Sequence, residues 1–171
     1  MADVSQISLI VFDVDGVLTD GGLYIDDQGT ETKRFHVRDG TAIRLAQRVG
    51  LNIAVMTGRT SRTVTIRLNE LDITLALQGV ADKAEGLHIL CNQADVAVEH
   101  CAVVGDDLLD LPAMTRCGYP IAVGDALKPV KDIARYITQA NGGHGAAREA
   151  IQHILDCQDK WDTLVDDLLT Q

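Results

Sequence analysis

Two aspartates stand one residue apart at the end of an apolar run, Asp13 and Asp15 in ISLIVFDVDGVLTDG. Residues of matching chemistry close later apolar runs: Thr57-Gly58-Arg59 follows NIAVM, Gly105-Asp106-Asp107 follows CAVV, and Lys83 stands at a helix start. Gathered at one place, they supply four carboxylates, a hydroxyl and an ammonium. Two unit charges about 4 Å apart repel by roughly 4 kcal/mol at an effective dielectric of about 20, so such a cluster demands a cation. Hard carboxylate oxygens without His or Cys favour magnesium, which keeps several waters and shares its other positions with a phosphate.

An ionised aspartate attacks phosphorus without a base once the phosphoryl oxygens are neutralised. Asp13 is the candidate nucleophile, forming an aspartyl-phosphate. Asp15 donates a proton to the departing alkoxide and later takes one from water, provided its surroundings raise its pKa. Thr57 and Lys83 are placed to hold the transferred oxygens. Gly16, and Gly58 after the second strand, let the backbone approach the phosphoryl group.

The elements that must position these residues read as alternating strands and helices. ISLIVFD, NIAVMT, ITLAL, CAVVGD and PIAVG are near-continuous apolar runs, the pattern of a parallel sheet covered on both faces. Between them, Asp39 is read as the cap of a helix ended by Gly50, and Ser61 or Thr60 as the cap of one running through Leu71. Further helices are predicted over Asp82–Gln93, Leu108–Thr115 and Ala146–Leu169. The class is α/β, a doubly wound, three-layer, Rossmann-like sheet, whose ligands collect at the carboxyl ends of the strands. One segment breaks the alternation: Gly22 to Val37 reads as a projecting β-hairpin turning at Asp26-Asp27-Gln28-Gly29. Residues 1–171 are expected to form a single domain, with 140–171 as a C-terminal tail or helix.

Lys and Arg number 15 against 25 Asp and Glu, a formal charge of -10 that repels nucleic acid and anionic membranes. The sequence shows neither a basic leader with a cleavage site nor a membrane-length apolar stretch, so a cytoplasmic protein is expected. Cys91, Cys101, Cys117 and Cys157 lack disulfide or zinc spacing and read as buried free thiols. The five histidines lack mutual metal spacing.

DVDGVLTDG, MTGR, Lys83 and GDDLLD resemble, in order and context, the four motifs of the haloacid dehalogenase superfamily of phosphohydrolases, over about Ile7 to Val123. The resemblance implies Asp13 as nucleophile, Asp15 as acid/base, Thr57 and Lys83 as phosphate holders, and Asp13, the Asp15 backbone carbonyl and Asp106 as magnesium ligands. Asp107 and Asp110 match supporting acidic positions. With 41 residues between Asp15 and Thr57 and 25 between Thr57 and Lys83, no cap domain fits.

Over nearly the whole chain, DVDGVLTDGGLYIDDQGTETKRFHVRDG, GDDLLDLPAM and GGHGAAREA are similar to the 3-deoxy-D-manno-octulosonate 8-phosphate phosphatases of lipopolysaccharide synthesis in Gram-negative bacteria. That resemblance implies a sugar-acid phosphate as substrate, with Arg59, Arg62 and Arg67 as anion partners. It also implies a homotetramer closed through the hairpins, in which the tail, with Arg148 and His144, reaches a neighbouring site. Two alternatives stay open: a phosphatase for another sugar acid, such as a nonulosonate 9-phosphate, and a non-enzymatic phospho-receiver domain.

Overall fold

The computed structural model describes residues 3–170. Its centre is β1 (Leu9–Phe12), whose four side chains are all fully buried. Each apolar side chain removed from water in this way contributes roughly 1.5–3 kcal/mol. On one side β1 pairs with β4 (Asn52–Thr57), which pairs with β5 (Leu75–Gln78). On the other side it pairs with β6 (Cys101–Gly105), followed by β7 (Tyr119–Ala122) and β8 (Tyr136–Ile137). All six strands are parallel, in the order β5-β4-β1-β6-β7-β8.

This order places the topological switch at β1, where successive connections leave in opposite directions and open a crevice at the strand ends. Phe12 lies level with Val55 of β4 and Val104 of β6, so Asp13, Thr57 and Asp106 emerge at the same edge within a residue of one another. Helices flank the sheet: α1 (Val37–Arg48) packs against α6 (Ala146–Cys157), and α3 (Lys83–Ala94) against α4 (Leu111–Met114). The remaining helices are α2 (Arg62–Glu70), α5 (Lys128–Ile133) and α7 (Trp161–Leu169). No helix among the described residues is long and apolar enough to cross a membrane.

Five readings change. Cys91 and Cys101 are buried free thiols, but Cys117 is only partly buried and Cys157 is exposed on the last turn of α6. Asp39 does not cap α1; His36 takes that position, and Asp39 is buried in the first turn, where its Oδ1 accepts from the Arg148 amide at 2.8 Å and ties α1 to the start of α6. The final helix is two, broken at Asp159, whose φ is 55°. The predicted Leu108–Thr115 helix is a single tight turn, Leu108–Asp110, running into the four-residue α4. β8 and α5 went unread because two and six residues are too few to show a period.

The hairpin pairs only β2 (Tyr24–Ile25) with β3 (Glu31–Thr32), antiparallel, about a turn where the Asp26 carboxylate accepts from the amides of Gln28 and Thr30. Beyond it, an isolated antiparallel bridge between Thr19 and Phe35 brings the chain back to the segment that follows the Val14–Leu18 turn.

Candidate active site

Asp13 follows β1 directly, and its amide donates to the Val104 carbonyl at 3.1 Å, so the strand ladder fixes its backbone. A wide turn from Val14 to Leu18 comes next, closed by the Thr19 amide on the Val14 carbonyl at 3.0 Å. Gly16 takes φ 94° within it. A Cβ there would sit 2.1 Å from Asp106 Oδ2, so glycine is required both by the backbone and by the close approach of that carboxylate.

Lys83 opens α3, just after Asp82, whose side chain caps the helix through the Ala84 amide at 2.9 Å. A lysine at a helix N-terminus opposes the helix dipole, and here two carboxylates offset that. Its ammonium donates to Asp13 Oδ1 at 2.8 Å and to Asp110 Oδ1 at 2.5 Å, with all three residues buried. Asp110 spends its other oxygen on the amides of Asp106 and Asp107, at 2.9 and 3.2 Å. Asp110 therefore holds both Lys83 and the loop after β6, while Asp107 caps the following turn by accepting from the Leu108 amide at 2.6 Å.

One carboxylate oxygen each of Asp13, Asp106 and Asp110 lies within 4.8 Å of the other two. Both oxygens of Asp110 are already engaged, Oδ1 by the Lys83 ammonium and Oδ2 by two amides. Asp106 Oδ1, by contrast, is buried without a hydrogen-bond partner. A buried carboxylate oxygen left bare beside another carboxylate, with glycine clearing the space at position 16, fits a hard divalent cation held by Asp13, Asp106 and the Asp15 carbonyl.

Without a cation the crowding shows in the protonation equilibria. Burial, opposed by Lys83 and reinforced by Asp110, raises Asp13 to about 6. Burial, then the charges of Asp110, Asp13 and Asp107, raises Asp106 to about 7. Burial pulls the Lys83 ammonium down, but the carboxylates of Asp13 and Asp110 more than offset it, and its pKa lies above the ordinary value.

The sign of the carboxylate shifts fixes a prediction. A carboxyl whose folded pKa is raised holds protons that the unfolded chain has lost, so its contribution to stability falls as pH rises from about 4 through about 7. The cation-free protein should therefore lose thermal stability across that window, and a saturating divalent cation, which needs the carboxylates ionised, should oppose the loss. Asp106→Asn should flatten the cation-free profile. Thermal unfolding with chelator and with magnesium at pH 5 and pH 8 checks it; a cation-free protein more stable at pH 8 than at pH 5, with Asp106→Asn behaving identically, would contradict the assignment.

Above this cluster a cavity of about 250 Å³ is lined by Asp13, Asp15, Thr57, Gly58, Arg59 and Lys83 on the catalytic edge, with Leu109 as an apolar lip. Thr57 is buried at the end of β4, and its Oγ1 accepts from the Arg59 amide at 3.4 Å. Arg59 crosses the cavity mouth, donating to Glu31 Oε2 at 2.7 Å, with its Nε 3.8 Å from Asp15 Oδ2. A larger cavity of about 470 Å³, around Arg44, Arg48 and Asp72, opens at the opposite edge, where β4 and β5 begin, and gathers no nucleophile with an ammonium.

The other arginines lie elsewhere within this chain. Arg62 is exposed at the start of α2, beside Thr60 and Ser61. Arg67 stacks over Phe35 at 5.8 Å and pairs with Glu70 at 2.9 Å. Arg148 lies over Trp161 at 5.4 Å, lining a groove between α1 and α7. His144 contacts the Gly142 carbonyl and Arg34, at 2.7 and 3.3 Å.

The glycine-rich start of the tail packs against the Val14–Leu18 turn of its own chain rather than extending away from it. A Cβ at Gly142 would lie 1.7 Å from the Gly16 carbonyl oxygen, and the Gly143 amide donates to the Val17 carbonyl at 2.9 Å. Since α6 supplies Ala146, Ala150, Ile151, Ile154 and Leu155 to the core, removing the tail would dismantle the fold rather than only its substrate contacts.

Glu31 and Lys33 went unread. Lys33 is buried and donates to Asp15 Oδ1, and Glu31 accepts from Ser61 Oγ at 2.6 Å. Their one sequence signal is that two charged residues two apart share a strand face, which a solvated hairpin also shows.

Comparison with known proteins bears on what this arrangement does. A family model for haloacid dehalogenase-like hydrolases matches residues 77–149. The 3-deoxy-D-manno-octulosonate 8-phosphate phosphatase of Yersinia pestis is 41% identical over 156 residues, 91% of this chain and 83% of that protein. The chain belongs to the 3-deoxy-D-manno-octulosonate 8-phosphate phosphatase family. The Haemophilus influenzae phosphatase of this family is 40% identical over 92% of this chain and 87% of its own length. The Moraxella catarrhalis family structure, in complex with magnesium ion, phosphate ion and KDO (3-deoxy-D-manno-octulosonate), superposes with a TM-score of 0.94 at 37% identity, covering 97% of this chain and 95% of that one. Membership in this phosphatase family sets aside the phospho-receiver alternative.

Proposed function

We propose that this chain is a magnesium-dependent phosphomonoesterase that hydrolyses 3-deoxy-D-manno-octulosonate 8-phosphate to 3-deoxy-D-manno-octulosonate and phosphate. The observation that carries the reading is Asp13, buried at the end of β1, touching the Lys83 ammonium and facing a cavity shared with Asp15 and Thr57. When bound, magnesium supplies charge neutralisation of the phosphoryl oxygens and of the Asp13 and Asp106 carboxylates.

Asp13 forms a bond to phosphorus as the bond to the sugar oxygen breaks, and Asp15 gives that oxygen its proton. Asp15, now a carboxylate, takes a proton from the water whose oxygen attacks phosphorus, and Asp13 leaves as a carboxylate. Lys83 and Thr57 hold the phosphoryl oxygens in place throughout. Arg59, at the cavity mouth, is the contact for the substrate carboxylate.

A cytoplasmic homotetramer is part of the proposal. Leu23, Tyr24 and Ile25 are 49, 53 and 61% exposed on a two-stranded ribbon whose edges need covering, and hairpin pairing between subunits would cover them. In such an assembly Arg148 and His144, neither of which lines the cavity of its own chain, serve a neighbouring site, whereas Arg62 and Arg67 stay beside their own hairpin as anion partners.

Chelation should remove at least about 99% of turnover and added magnesium should restore it, as for other catalysts whose reacting charges a metal neutralises. Unchanged phosphate release in excess chelator would sink the metal assignment. Substrate choice is tested by phosphate release, with magnesium, across a panel of sugar-acid and simple sugar phosphates. The octulosonate 8-phosphate should give the highest kcat/KM; a higher value on a nonulosonate 9-phosphate would transfer the assignment to that sugar acid.

A further inference from the structure

Lys33 follows β3 on the chain returning from the hairpin, and its side chain is 0% exposed. Its ammonium donates to Asp15 Oδ1 and lies 3.7 Å from Glu31 Oε1. Glu31 is held in turn by Ser61 Oγ on Oε1, at 2.6 Å, and by Arg59 on Oε2, at 2.7 Å. Arg59 closes the ring, with its Nε 3.8 Å from Asp15 Oδ2. The two oxygens of Asp15 therefore have different surroundings: a buried ammonium on one, and the cavity-lining arginine on the other.

Neutralising a carboxylate does not require burying a lysine, since an exposed cation does so at far lower desolvation cost. What burial adds is a fixed orientation. A proton donor must place one chosen oxygen within hydrogen-bond reach of the ester oxygen, and an ion pair on the other oxygen of Asp15 fixes which one that is.

We propose that Lys33 is a positioning residue for the acid/base step: it pins Asp15 by Oδ1 so that Oδ2 carries the proton to the leaving oxygen and receives the one from water. This rests on the phosphatase reading above. Through Glu31, the same strand holds Arg59 at the cavity mouth, so one hairpin strand sets both the proton donor and the substrate-facing arginine.

The test compares Lys33→Met and Lys33→Arg on an alkyl phosphate and on p-nitrophenyl phosphate, whose phenolate leaves without a proton. The kcat/KM value reports steps up to loss of the alcohol. Lys33→Met should lower it about 100-fold on the alkyl ester, the size of a lost general acid, and less than about fivefold on the aryl ester. Lys33→Arg should recover much of the alkyl activity. In an Asp15→Asn background, adding Lys33→Met should cost less than about twofold further, because the two act as a unit. Equal losses on the two esters, or a full additional loss in the Asp15→Asn background, would overturn the proposal. Should Lys33→Met fail to fold, Lys33→Gln, which also removes the ammonium, carries the test: an alkyl-selective loss supports the role, and an even loss or none refutes it. Any primary sugar phosphate that the wild type hydrolyses serves as the alkyl ester, so failure on the octulosonate 8-phosphate would count against the substrate assignment and not against Lys33.

Discussion

Asp13→Asn should leave less than about a thousandth of wild-type turnover, since an amide cannot form the bond to phosphorus on which both half-reactions depend. The fold should survive. Asp13 is one of three carboxylates around a single ammonium, and its pKa is pushed up to about 6, so replacing it with a neutral isostere relieves crowding at neutral pH. Cation-free thermal stability at pH 8 should therefore equal or exceed that of the wild type while phosphate release disappears. Residual turnover above a thousandth in a folded variant would mean that Asp13 is not the nucleophile.

Lys83→Met should damage both properties. Its ammonium is the buried partner of Asp13 and Asp110, and removing one member of a buried charge group costs about 3–5 kcal/mol because the others stay behind uncompensated. Turnover should fall at least about 100-fold, the size of a lost electrostatic contact to a transferring group. The two effects separate on adding magnesium, which can compensate Asp13 and restore part of the stability but cannot replace the ammonium on Asp110. They also separate with pH: toward pH 5, Asp13 and Asp106 take up protons and the stability loss should shrink. Denaturant unfolding at pH 8 and pH 5, beside kcat/KM, measures both. A variant within about 1 kcal/mol of wild type at pH 8, with turnover reduced less than tenfold, would contradict this role for Lys83.

Much of this site is legible in the sequence because its parts lie at strand ends. β1, β4 and β6 are continuous apolar runs, so the residues that finish them, Asp13, Thr57 and Asp106, could be placed on one edge from the α/β alternation alone. Lys83 was legible for a related reason: the Asp82 cap marks where α3 begins, at the same end of the sheet.

What could not be read depends on chain segments meeting from afar. Lys33 and Glu31 gain their meaning only when the hairpin folds back onto Asp15, Arg59 and Ser61, and nothing in a short polar ribbon signals that return. Asp39 misled for the same reason. As a residue near a helix start it looks like a cap, yet its partner, the Arg148 amide, lies 109 residues away. The tail is expected from the resemblance to reach a neighbouring site, whereas the missing Cβ atoms of Gly142 and Gly143 let its start pack tightly against residues 16–20 of its own chain.

The central claim is that phosphate passes through Asp13. Acid-quenching the wild-type protein during magnesium-supported turnover of the sugar-acid phosphate, followed by mass analysis of its peptides, tests it directly. The expected result is a phosphoryl group on the peptide carrying Asp13, formed and lost at rates that match turnover and absent from Asp13→Asn. Full turnover with no phosphoryl group on that peptide, or with the group on another residue, would contradict it.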